Sequence, residues 1–211
     1  FAGSSLVALN TYTLLQSIFS NIGGLSKTNN LPDFPSLADI AKKALEFYFK
    51  SIRSNCEIIL FGFCPKHNSP HIAAISSFLE DGKITTTVNI KNEFAKEVSV
   101  VHIGDKRDEI LINIEKRLRD EVLFSTNYWR TPAMVIEELI NQGKYDTIGG
   151  NLQIVTVHFD KFSMFSHLIS KNGDARFGEM KFRNIDIFSE IGQEIGDCFN
   201  AISGLKLRFN S

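Results

Sequence analysis

Cys56-Glu57-Ile58-Ile59-Leu60-Phe61-Gly62-Phe63 is an apolar run of strand length with polar residues on either side. Its apolar character is continuous and lacks helical spacing, which predicts a strand buried on both faces. Downstream, Pro65–Pro70 reads as a turn and His71–Leu79 as a second strand. Glu80-Asp81-Gly82-Lys83 carries an Asp-Gly hairpin signal. A third strand follows at Ile84–Ile90, where Thr85-Thr86-Thr87-Val88 favours β structure, and a fourth is expected at Val98–Ile103.

Upstream of the run the period is helical. Ser4 or Ser5 caps a first helix that runs to about Ser20, with Leu6, Leu9, Thr13, Leu14, Ser17 and Ile18 on its apolar face. Asn21-Ile22-Gly23-Gly24 supplies a glycine stop, and Ser26–Pro35 reads as a loop. Ser36 is the expected cap of a second helix, with a broad stripe of Leu37, Ile40, Ala41, Ala44, Leu45, Phe47, Tyr48 and Ile52.

Beyond the strands, Gly104-Asp105 opens a third helix to about Val122, with Ile110, Leu111, Ile114 and Leu118 on a 3.6 period. Its Lys106, Arg107, Arg117 and Arg119 read as a solvated face. Thr131-Pro132 looks like a cap followed by an N1 proline, opening a fourth helix to Gly143. Asp146-Thr147-Ile148-Gly149-Gly150 is a turn, and Leu152–Phe159 with Phe162–Leu168 a closing hairpin. After a polar link at Lys171–Gly178, an amphipathic helix is expected around Ile187–Ile202. The order is α-α-β-β-β-β-α-α-β-β plus a helical tail. Paired helices and blocks of strands exclude a repeating βαβ unit and predict an α+β fold with packed sheets. The expected division is a domain at 1–170 and an extension at 171–211.

A chain of 211 residues can bury one substantial core. The net charge of −1 provides no field to attract nucleic acid or an anionic membrane, and no apolar run reaches the roughly 20 residues of a membrane span. Cys56, Cys64 and Cys198 are odd in number and irregular in spacing, so they read as idle thiols in a reducing, cytoplasmic compartment rather than a disulfide framework. The 18 Phe residues point to aromatic packing in the core or between subunits. His67 and His71 flank a turn bounded by prolines and read as surface polar residues, not metal ligands. There is no G-x-S-x-G, no G-x-G-x-x-G and no P-loop, so neither a nucleophile elbow nor a nucleotide cofactor is expected.

Three segments carry a resemblance. Phe1-Ala2-Gly3-Ser4 resembles the apolar-Ala-Gly-Ser segment that opens the first helix of proteasome β-type subunits and bacterial proteasome-like peptidases. Val101-His102-Ile103-Gly104-Asp105 is similar to the family's Ile-Gly-Ser turn, and Asp146-Thr147-Ile148-Gly149-Gly150 to its Ser-Gly-Gly turn. The likeness spans about residues 1–168. It implies a four-layer αββα sandwich and an N-terminal nucleophile (Ntn) hydrolase of the threonine type, cleaving peptide or amide bonds without a cofactor. The nucleophile would be a processed Thr, Ser or Cys on a segment upstream of Phe1, with its own α-amine as base. Gly3 would supply the oxyanion-hole N–H. Phe1, Ser5 and Leu9 would line the pocket for the substrate side chain before the scissile bond. Asp105 would sit beside the nucleophile's amine, and Asp146 would support catalysis. The resemblance also implies a homo-oligomer and leaves an ATPase partner open.

Three positions depart from the family pattern. Val7 stands where Asp is common, Asp105 replaces Ser, and Asp146 is one residue closer to the glycine pair, leaving Tyr145 at the usual spacing. Two further readings therefore stand beside the enzyme: a non-catalytic subunit of the same fold, and an unrelated α+β binding module whose turns coincide with the motifs.

Overall fold

A computed structural model describes residues 1–25, 31–64, 66–92, 100–149, 153–157, 162–166, 168–171, 174–182 and 185–186. These residues form an α+β protein with four helices and a four-stranded antiparallel sheet. The chain divides into two compact units, Phe1–Leu111 with Val157–Asp160, and Ile112–Thr156 with Lys161–Ser211.

In the first unit, β1 (Ala2–Gly3), β2 (Cys56–Phe63), β3 (Pro70–Glu80) and β4 (Lys83–Lys91) form one sheet in the order β1-β2-β3-β4. The hairpin expected at Glu80–Lys83 is present: Glu80 pairs with Lys83, and Asp81 and Gly82 both have positive φ, as a two-residue type I′ turn requires. Along β3, burial alternates residue by residue. Cys56, Ile58, Ala73 and Ile75 join one core with Val7 and Leu15 of α1 (Ser5–Leu25) and with Phe34, Ala38, Ala41, Ala44 and Leu45 of α2 (Phe34–Ile52). The opposite sheet face carries Glu57, Ile59, Phe61, Ala74 and Ser76. It is half-buried, and Phe61 is exposed. The expectation of a β2 buried on both faces is thus corrected. An apolar run reports composition, whereas burial depends on what packs against each face.

Several boundaries and faces also differ from expectation. The buried stripe of α1 is Val7, Thr11 and Leu15, whereas Leu6, Leu9 and Thr13 point outward. This helix is apolar around most of its circumference, so spacing alone leaves its inner face ambiguous. It also runs through Gly23 and Gly24 to Leu25, since glycine weakens a helix by only about 1 kcal/mol relative to Ala. The cap of α2 is Asp33, not Ser36: Asp33 Oδ1 accepts from the Ser36 N–H at 3.0 Å and from its hydroxyl at 2.7 Å. Phe47 faces solvent rather than the core. Residues 100–103 of the expected fourth strand pair with no strand among the described residues, and the sheet's fourth strand is β1 instead.

Thr11 is fully buried, and its hydroxyl has no hydrogen-bond partner among the described residues. A buried unsatisfied hydroxyl is costly, and valine has nearly the same shape. Thr11→Val is expected to stabilise the protein by about 1 kcal/mol, read by chemical denaturation. Destabilisation would mean that the hydroxyl has an acceptor.

Helix α3 (Arg107–Leu118) begins two residues after the expected Gly104-Asp105 start and ends before Val122. Helix α4 (Thr126–Gln142) begins earlier than Thr131-Pro132. Its cap is Ser125, whose hydroxyl accepts from the Tyr128 N–H at 3.1 Å, and Pro132 lies inside the helix. The Thr131 hydroxyl donates to the Asn127 carbonyl at 2.9 Å one turn back. Arg117 grips Glu138 through both guanidinium nitrogens, one at 2.7 Å, so it is not merely solvated. Strands β5 (Gln153–Val157) and β6 (Phe162–Ser166), expected as a closing hairpin, pair in a two-stranded sheet, and the residues between them lie outside the described ones. Of the supposed link at Lys171–Gly178, Lys171 and the residues from Asp174 on lie in strand instead: β7 (Leu168–Lys171), β8 (Asp174–Phe182) and β9 (Ile185–Asp186) form a three-stranded sheet. The helix expected at Ile187–Ile202 lies outside the described residues.

Candidate functional site

The N-terminal strand places Gly3. Ala2 pairs with Glu57 and Gly3 with Cys56, and the Ser4 N–H donates to the Asn55 carbonyl at 2.9 Å. Gly3 has φ +94°, and a Cβ there would lie 2.4 Å from the Asn55 carbonyl oxygen. Only glycine fits so close to a neighbouring backbone at that φ. Helix α1 starts two residues later, with Ser4 Oγ accepting the Val7 N–H at 3.4 Å.

Phe1, Ser5 and Leu9 are all exposed. Ser5, Leu9 and Tyr12 follow one face of α1 at i, i+4 and i+7 spacing. The Phe1 ring meets Tyr12 edge-on, with centroids 6.2 Å apart. Tyr12, exposed like its neighbours, extends this apolar wall and was not singled out from sequence.

The Gly104 turn comes to the same place from a hundred residues away. Gly104 has φ +98°, and a Cβ there would lie 3.2 Å from Ala2 Cβ. Asp105 is exposed, and its Oδ1 accepts the Lys106 N–H at 2.9 Å, a local contact just before α3. Ala2–Gly3 and Gly104-Asp105, parts of two of the three resembling segments, are therefore neighbours. Asp146 lies in the other unit, exposed in a turn closed by the Ile148 N–H on the Tyr145 carbonyl at 3.2 Å. Gly149 follows this turn, and Gly150 lies outside the described residues.

Glu57 links the converging segments and was not singled out from sequence. Its Oε2 accepts the Gly104 N–H at 2.7 Å, and its Oε1 accepts the Ser76 hydroxyl at 2.8 Å and the Arg107 guanidinium. Ser76 is its cross-strand partner in register. Burial pushes the Glu57 carboxyl up, but the Gly104 N–H, Arg107 and Ser76 outweigh this and hold it below the usual range. The available signal was a single charge inside an otherwise apolar strand. Arg107, exposed as expected, is also half of this ion pair.

His102 is half-buried beside this network, and its Nδ1 has no partner among the described residues. Burial first, then the Arg107 charge, push its pKa down, against the opposing pull of Glu57. Cys56 and Cys64 are free and buried. Burial raises the Cys56 thiol, so it is a poor nucleophile beside Gly3. His71 is also buried, stacked on Phe34 at 5.0 Å with Nδ1 against the Ser69 carbonyl at 2.9 Å, which corrects its reading as a surface residue. Among the described residues no three His, Cys, Asp or Glu side chains gather in a metal-binding group, and no helix is long and apolar enough to cross a membrane.

Chemically, the arrangement presents a glycine junction at a helix N-terminus, an exposed apolar wall and a carboxylate on an adjoining turn. Compared with known proteins, the chain matches no family model, no curated protein and no solved structure.

Proposed function

We propose that this protein is a proteasome-like N-terminal nucleophile hydrolase that cleaves peptide or amide bonds, with the nucleophile carried upstream of Phe1. One observation carries the reading: Ala2–Gly3 and the Gly104 turn, far apart in sequence, meet with both glycines at positive φ. In the family resembled, the matching segments flank the nucleophile.

In this reading the nucleophile's α-amine takes the proton from its own hydroxyl or thiol as that atom attacks the carbonyl carbon. The Gly3 N–H stabilises the developing oxyanion. The C–N bond then breaks, the amine leaves with the proton, and water hydrolyses the acyl-enzyme. Phe1, Ser5 and Leu9 receive the substrate side chain, and Asp105 accepts a hydrogen bond from the nucleophile's amine. The half-buried face with Ile59, Phe61 and Ala74 suits a second sheet packed on it, as a four-layer αββα sandwich requires. Exposed Phe47, Phe124 and Trp129 suit contacts between copies in a homo-oligomer, and the free buried thiols suit a cytoplasmic setting.

A different observation favours the non-catalytic subunit. Val7 is fully buried in the apolar core, at the position where the family commonly has Asp. The test is to treat the protein purified from its cells with a β-lactone or epoxyketone and follow its intact mass. The enzyme reading expects one added inhibitor at an N-terminal Thr, Ser or Cys. No added mass would leave the non-catalytic subunit and the unrelated binding module.

A further inference from the structure

We propose that Glu57 is the positioning residue of this site: its ionised carboxylate fastens the Gly104-Asp105 turn beside Ala2–Gly3, and acid unfastens it. Only the word "site" rests on the hydrolase reading; the fastening rests on geometry alone.

Glu57 is the sole charge in β2 and lies on the sheet face away from the core of α1 and α2. Its side chain is only 20% exposed. A carboxylate so sheltered is costly unless donors meet it, and three do. Ser76 donates from β3, Arg107 from the first turn of α3, and the Gly104 N–H from the turn itself. The Gly104 contact is a tether. It joins a turn that has no strand partner among the described residues to an inner strand of a sheet. Glycine lets the turn sit this close, because a Cβ on Gly104 would lie 3.2 Å from Ala2 Cβ. Ala2 in turn pairs with Glu57 through the backbone. One residue thus holds both segments, by main chain on one side and carboxylate on the other.

Among the described residues, the charged and titratable groups around Glu57 are few. Arg107 faces it from α3 and His102 from the segment before the turn. On its own strand Cys56 adjoins it. Ser76 is the uncharged donor from β3.

The sign is the same for both titrating groups. Glu57 is held below its ordinary value of about 4.3, so its stabilisation is complete above that pH and is lost as pH falls through its lower folded value. His102 is also held below its ordinary value of about 6.5. Its neutral form is the one favoured in the fold, so stability begins to fall once pH drops below that value. Neutralising Glu57 also removes the one nearby charge that favours the His102 cation. Acid therefore loosens the segment around residues 100–107.

The test is amide exchange followed by NMR, residue by residue, in the intact protein without substrate. In Glu57→Gln at about pH 7, protection of the Gly104 amide is expected to fall at least about tenfold, the loss of one charge-assisted hydrogen bond. Protection at Ile75 and Val88 in the sheet should not change. In the wild type, lowering pH below about 4.3 and through the lower folded value of Glu57 should cost Gly104 its protection before Ile75 and Val88, while the variant keeps only the loosening that His102 brings below about 6.5 and shows no further step at Gly104. Unchanged Gly104 protection in the variant would overturn the proposal. So would equal loss at Gly104, Ile75 and Val88, which would make Glu57 a general support of the fold. If Glu57→Gln does not fold, the wild-type order of loss decides alone. These readouts need no activity, so a wild type that takes up no inhibitor removes the hydrolase reading and leaves this one standing. Where labelling does occur, Glu57→Gln should slow it about tenfold without changing the half-saturating inhibitor concentration.

Discussion

Gly3→Ala is expected to destabilise the first unit by about 3 kcal/mol or more, and to displace β1 from the sheet. Two costs combine. A non-glycine residue at φ +94° is strained, by about 1–3 kcal/mol in ordinary cases. The new methyl would also sit 2.4 Å from the Asn55 carbonyl oxygen and 3.2 Å from Cys56 Cα, both main-chain atoms. No rotamer change relieves a clash with backbone, so either the Gly3–Cys56 pairing opens or the end of β2 moves. In a thermal melt the loss corresponds to about 6–12 °C for a chain of this size. Gly62→Ala is the control: nothing lies within 4 Å of its would-be Cβ, and its stability should stay within about 1 kcal/mol of wild type. A Gly3→Ala protein as stable as wild type would contradict the close approach of β1 to Asn55. Under the hydrolase reading, the same substitution should also abolish inhibitor labelling, because the displaced N–H can no longer meet the oxyanion.

Leu45→Ala is expected to cost about 2–5 kcal/mol, measured by urea unfolding. Leu45 is fully buried in α2, within the cluster that joins both helices to β2 and β3. Alanine favours helix slightly more than leucine, so the loss must come from packing. Its neighbours along the buried side of the helix, Ala38, Ala41 and Ala44, are already small and cannot swing in to fill the space. That leaves a cavity, which adds to the lost transfer energy. Phe47→Ala on the same helix removes a larger side chain that is 62% exposed, and should change stability by no more than about 0.5 kcal/mol. The reverse order of effects would mean that α2 presents a different face to the sheet.

Local chemistry made much of the first unit legible. The Asp81-Gly82 turn is readable because its backbone angles demand those residue types, and its position sets the β3–β4 register. The strand at Cys56–Phe63 and most of the α2 stripe follow from spacing alone. Spacing fails where the pattern is degenerate. Helix α1 is apolar nearly all round, so Leu6 and Leu9 could not be distinguished from Val7 and Leu15. Pro132 resembled a helix start because proline is favoured there, yet Ser125 caps an earlier beginning. Of the candidate site, Gly3 was legible as a junction glycine and Asp105 as part of a turn. The partners of both were not.

The sequence by itself determined the period of each strong element, the hairpin at Asp81-Gly82 and the absence of a strong net charge. Each of these depends on residues a few positions apart. Only the tertiary structure decided that Ala2–Gly3 completes the sheet, that Gly104 abuts Ala2, and that Glu57 holds both. Those contacts join residues about fifty and a hundred positions apart, and close approach between backbones leaves no periodic trace in the residues that make it.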